Sequence, residues 1–139
     1  MGTRMERVSQ RAFEKMAAEA FERLPGRFRE KVKNLAILVE DVPDRRTARE
    51  LKLRSPLELL GLYRGVPQTA RHNDASFTLP DTVTLYQRAI EAHAAHDGMP
   101  LRDAIYETLW HEIGHHFGLD EHGVRTRERE RFRRGKRSR

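Results

Sequence analysis

Three observations predict a mixed α+β domain: apolar residues at helical spacing near the start, three short strand-like runs in the middle, and a second amphipathic helix near the end. Residues 9–24 place Phe13, Met16, Ala17, Ala20, Phe21 and Leu24 on one face at a period near 3.6, the signature of a helix that packs on a core. Pro25 ends that run and suits the first position of a second helix to about residue 33, because its missing N–H has no intrahelical partner there anyway. Residues 35–42 (LAILVEDV) are short, apolar and closed by Pro43, as expected of a buried strand. The charged stretch 44–53 is expected to be a surface loop. Ser55-Pro56 resembles a helix start, but the chain soon becomes Leu59-Leu60-Gly61-Leu62-Tyr63, read as a second strand that Arg64-Gly65-Val66-Pro67 closes.

Residues 68–77 are polar, contain Asn73-Asp74, and read as a loop. Thr82-Val83-Thr84-Leu85-Tyr86 is β-branched and aromatic, so a third strand is expected. Residues 90–96 are alanine-rich and ambiguous; Asp97-Gly98 turns the chain. Pro100 opens the next helix, which runs to about Phe117. Gly118 can stop it, since glycine tolerates the left-handed conformation at a helix end.

The 139 residues suit one domain able to bury a core without staples. The absence of cysteine excludes disulfides, thiolate metal sites and cysteine nucleophiles, and fits a reducing compartment. No apolar run is long enough to span a bilayer, and residues 1–10 lack the apolar core of a signal peptide. The expectation is a soluble, cytoplasmic monomer with no membrane partner. The net charge of +6 is unevenly placed: residues 125–139 hold nine Lys or Arg against two Glu. The expected division is therefore a folded domain over residues 1–124 and a basic, disordered tail over 125–139. Such a tail is more often a solvated solubility element than a nucleic-acid or acidic-partner contact, though its charge permits both.

The chemistry is concentrated in His111-Glu112-Ile113-Gly114-His115-His116-Phe117-Gly118-Leu119-Asp120-Glu121-His122, which contains the pattern H-E-x-x-H. Residues four apart stack on a helix, so His111 and His115 can point two imidazoles at one metal ion. Glu112 lies about 100° round the helix from His111. That is beside the metal and off the ligand row, where a general base for a metal-activated water belongs. Tyr106, Leu109, Trp110, Ile113 and Phe117 form an apolar stripe on the other side. Zinc prefers four ligands and catalytic sites leave one open, so a third protein ligand is needed. Asp120, Glu121 and His122 are all in range after Gly118. Glu121 is preferred, six residues after His115, with His122 the next choice. His116 points off the ligand row and reads as a packing or surface residue. His93 and His96 carry no assigned role.

Taken together, these segments resemble the minimal zincin-like metallopeptidase family of bacteria. The resemblance runs from about residue 9 to 122. It is carried by the segment from Phe13 to Val42, by Leu59-Leu60-Gly61-Leu62-Tyr63-Arg64-Gly65-Val66-Pro67, by residues 82–86, and by HEIGHHFGLDE from His111. It implies an α+β fold with N-terminal helices, a small mixed sheet and an active-site helix beneath it. It implies Zn2+ held by His111 and His115, Glu112 as general base, and a peptide or protein substrate. Members often carry aspartate at the position of Glu121. In zincins an extended substrate pairs with an edge strand, for which residues 82–86 are the candidate here. Tyr86, His72 and Arg71 are candidates for stabilising an oxyanion. The rival expectation is a metal-binding adaptor or sensor without hydrolytic activity, motivated by the small size.

Overall fold

The computed structural model describes residues 5–32, 34–65 and 79–116. In order these form α1 (Gln10–Glu22), α2 (Gly26–Lys31), β1 (Leu35–Glu40), α3 (Arg45–Glu50), β2 (Gly61–Arg64), β3 (Asp81–Tyr86), α4 (Gln87–Asp97) and α5 (Leu101–His116). The expected α+β class is observed, with a three-stranded mixed sheet. Residues 66–78 and 117–139, which include the expected loop, Gly118, the third-ligand candidates and the basic tail, lie outside the described residues.

Local chemistry explains most element boundaries. Ser9 caps α1, its hydroxyl accepting from the Ala12 N–H at 3.1 Å. Pro25 sits just before α2 as its cap residue rather than inside the helix. The charged stretch after Pro43 is not a loop. Asp44 accepts from the Thr47 N–H at 2.7 Å and nucleates α3, a six-residue helix. An N-cap aspartate can outweigh a charge-rich composition, since charged side chains are content on a surface helix. Lys52 then takes φ 54° in the turn that leaves α3, where Leu53 N–H reaches back to the Ala48 carbonyl. The ambiguous alanine-rich stretch is the helix α4, which follows β3 without a loop. Gly98, at φ 65°, ends it in the left-handed conformation.

The sheet order is β1-β3-β2, with β1 parallel and β2 antiparallel to β3. β3 is thus the central strand. Val83 and Leu85 project to one face and are fully buried against the helices, together with Phe13 of α1, Ile90 of α4, and Ile105 and Leu109 of α5. α5 is the hub of this core: it packs on α1, α4, β2 and β3. Its stripe of Leu109, Trp110 and Ile113 is buried as the spacing predicts, with Trp110 edge-on to Phe28 at 4.7 Å. Tyr106 is half-buried beneath the Arg23 guanidinium.

The segment before α1 is tied down by a polar clamp. Gln87 donates to the Val8 carbonyl at 2.7 Å, and the Val8 N–H donates to Glu91 at 3.0 Å. Glu91 is nearly completely buried, and these bonds offset its desolvation. No helix among the described residues is long and apolar enough to cross a membrane.

Candidate active site

α5 brings three of the four predicted site residues together. His111 and His115 stand one turn apart on the same face, their rings 4.4 Å apart and inclined at 70°. His111 is half-buried and His115 exposed, so the pair sits where the helix leaves the core. Glu112 occupies the neighbouring row and faces β2. Glu121, the predicted third ligand, lies outside the described residues, as do Asp120 and His122. The two imidazoles on adjacent turns suit a metal that prefers nitrogen ligands, with the Glu112 carboxylate beside them, while among the described residues no group of three or more His, Asp or Glu comes together as a metal cluster.

β2 controls the surroundings of Glu112. It runs alongside α5, with Gly61 against Thr108 and Glu112, and Tyr63 against His116. The Tyr86 N–H donates to the Leu60 carbonyl at 2.9 Å, which makes Leu60 and Tyr86 a hydrogen-bonded pair of the antiparallel ladder. Alternation then turns the N–H and C=O groups of Gly61 and Tyr63 away from β3, toward the outer edge. The Tyr63 N–H donates to Glu112. Burial pushes the Glu112 carboxyl up to about 7, and the Tyr63 N–H pulls the other way. A dication held beside it would draw the carboxyl down further.

Gly61 gives the room for this approach. A Cβ there would lie 3.0 Å from Thr108 Cγ2, 3.3 Å from Glu112 Cγ and 3.3 Å from the Thr84 carbonyl oxygen. Its φ is not positive, so the need is space rather than conformation. Gly65 has a similar role at the other end: a Cβ there would meet His116 Cε1 at 3.1 Å.

His116 is not a bystander. Its imidazole stacks on Tyr63, with ring centroids 3.7 Å apart and planes 14° from parallel. The Tyr63 hydroxyl donates to Asp81 at 2.7 Å, and His116 Nε2 lies 3.8 Å from the same carboxylate oxygen. Sequence reasoning missed Gly61, Tyr63 and Asp81. Glycine inside or at the end of a strand often marks close backbone approach, and Gly61 and Gly65 bracketing Leu62-Tyr63-Arg64 carried that signal.

Two other expectations change. Residues 82–86 are not an edge strand, because β3 pairs on both sides; among the described residues β2 and β1 are the outer strands. Tyr86 is nearly completely buried and hydrogen-bonded to the Thr47 side chain, and that burial raises its phenol above the ordinary value, so it is engaged with α3 rather than available to a ligand. His72 and Arg71 lie outside the described residues. His93 pairs with Asp97 one turn along α4 at 3.6 Å, in keeping with a surface role.

A family model described as zincin-like metallopeptidase matches residues 32–131. No curated protein matches the chain. A solved structure of a conserved hypothetical protein from Thermus thermophilus is similar, with a TM-score of 0.50 at 21% identity over 78% of this chain and 94% of that chain. At that identity the likeness concerns the fold alone.

Proposed function

Since the chain belongs to the zincin-like metallopeptidases, we propose that it hydrolyses peptide bonds with a zinc ion held by His111, His115 and Glu121, and with Glu112 as general base. The single observation that carries this reading is the placement of Glu112. It is a half-buried carboxylate, bonded by one backbone N–H, on the row next to two imidazoles. A surface histidine cluster has no need of such a neighbour.

When bound, zinc supplies Lewis acidity: it polarises a scissile carbonyl and lowers the pKa of a water molecule toward ~7. The remaining work falls to the chain. Glu112 takes the proton of the attacking water on its carboxylate and delivers it to the leaving amine. Its low-dielectric surroundings strengthen its interactions with charge that develops beside it. The outer edge of β2 offers the Tyr63 C=O, next to Glu112, to an extended peptide, since the Tyr63 N–H is already bonded to Glu112 and Gly61 is buried. Pairing there would align a substrate along α5, so β2 replaces residues 82–86 as the substrate strand of this reading.

Two substitutions test it. His111→Ala should abolish stoichiometric zinc in purified protein, read by elemental analysis. Glu112→Gln should keep zinc and lose roughly 10²–10⁴-fold in hydrolysis of a peptide library. A Glu112→Gln protein that retains zinc and cleaves as fast as wild type would rule out Glu112 as the base.

A further inference from the structure

Tyr63 joins three elements at one residue. Its N–H, on the outer edge of β2, donates to Glu112 of α5. Its hydroxyl donates to Asp81, the first residue of β3, at 2.7 Å. Its ring lies nearly flat on His116, in the last turn of α5, at 3.7 Å. His116 in turn approaches the same Asp81 oxygen, at 3.8 Å, and Gly65 leaves room for its imidazole.

Anchoring a short strand does not by itself call for this chemistry. Asp81 is only 6% exposed, and burying a carboxylate is unfavourable unless it is bonded. An apolar residue at position 81 would pack there without that penalty. What a phenol–carboxylate bond adds is direction: it is short, charge-assisted and confined to one geometry. Stacking on His116 fixes the remaining freedom, the tilt of the ring. A ring fixed at both its plane and its tip leaves its own Cα little room to turn, and the N–H on that Cα points to Glu112.

We propose that Asp81, Tyr63 and His116 form a positioning set that holds the Tyr63 N–H on Glu112 and thereby aims the carboxylate assigned as general base. They are positioning residues: they act through Glu112 and not on a substrate. A carboxylate bonded at one point turns less freely, so it presents its proton-accepting oxygen in one direction, and small errors in such alignment are costly to rate. The geometric part of the proposal stands on the contacts above; its consequence for rate rests on the hydrolytic reading of the preceding subsection.

The test uses the full-length protein, isotope-labelled, with amide hydrogen exchange read by NMR in the metal-free and zinc-loaded states. Tyr63→Phe removes the hydroxyl and keeps the stack; His116→Gln removes the stack; His116→Phe restores a ring. In Tyr63→Phe and His116→Gln, exchange at the residue 63 amide should accelerate about tenfold or more, while the Leu62 and Arg64 amides, which face β3, stay within about twofold. His116→Phe should return residue 63 toward the wild-type rate. Zinc content should match wild type in all three. On any peptide that wild type cleaves, kcat should fall about tenfold in the first two variants with KM within about twofold, and recover in His116→Phe. An unchanged residue 63 amide in both disruptive variants overturns the proposal. So does equal acceleration at residues 62, 63 and 64, which would mark a mere strand anchor. If one disruptive variant does not fold, the other decides. A wild-type protein that cleaves no peptide refutes the hydrolytic reading instead, and the exchange pattern still decides the geometry.

Discussion

Replacing Gly61 by alanine tests the closeness of β2 to α5 directly. The added methyl would stand 3.0 Å from Thr108 Cγ2, well inside the ~3.5–4.0 Å at which carbon atoms attract. Thr108 cannot simply rotate away. It is buried, and its hydroxyl donates to the Ala104 carbonyl at 2.8 Å. The Thr84 carbonyl at 3.3 Å belongs to the central strand, and Glu112 Cγ at 3.3 Å can yield only by moving the carboxyl off the Tyr63 N–H. Overpacking of this kind costs about 1–3 kcal/mol. Thr108→Ser removes the clashing methyl and keeps the hydroxyl bond, at a cost of about 0.8 kcal/mol for one lost carbon. The double variant should therefore be more stable than the sum of the two losses predicts, by on the order of 1 kcal/mol, since contacting residues couple. Urea unfolding of the four proteins, with midpoints and slopes compared, measures this. Additivity within about 0.5 kcal/mol, or a Gly61→Ala protein as stable as wild type, would refute the packing described at this strand.

The remaining predictions concern stability. The Thr47 N–H, with help from the Thr47 hydroxyl, holds the Asp44 carboxyl below its ordinary 3.8, so its contribution is present above that value and fades as the pH falls through the lower folded-state value. The advantage of wild type over Asp44→Asn should thus be constant at neutral pH and shrink in acid, in thermal melts across that range; a flat difference would contradict the cap. Lys52→Gly should raise stability by about 0.5–1 kcal/mol, the left-handed cost for an L-residue less the extra entropy of unfolded glycine, and calorimetry should show a higher Tm. Glu91→Ala should lose about 1–2 kcal/mol by leaving the Val8 N–H without its acceptor, whereas Glu91→Gln, whose amide oxygen can still accept, should lose less; equal losses in urea would argue against the clamp.

What could be read from the sequence alone is what depends on near neighbours along the chain. His111, Glu112 and His115 share one end of one helix because i→i−4 hydrogen bonding fixes their angular offsets wherever the helix is placed. The buried stripe of Leu109, Trp110 and Ile113, the α1 face around Phe13, Ala17 and Ala20, and the turn at Gly98 follow from the same local rules. Asp44 belongs in this group too: a helix cap is a local signal, although the charge around it argues for a loop. Strand order was not legible. Residues 82–86 have the same composition whether they lie at the edge or the centre; pairing with residues 35–40 on one side and 61–64 on the other decides it. For the same reason the setting of Glu112 had no signature in the residues around Glu112 itself; Gly61 and Gly65 signalled a close approach without naming what approaches. Gly61, Tyr63, Asp81 and His116 come from two strands and a helix, and only packing of the sheet against α5 brings them within contact. Helical spacing therefore placed His111, His115 and Glu112 on one element. The burial of Glu112, the N–H that holds it and the strand that borders it arise from tertiary contacts between segments more than forty residues apart, which no period in the sequence encodes.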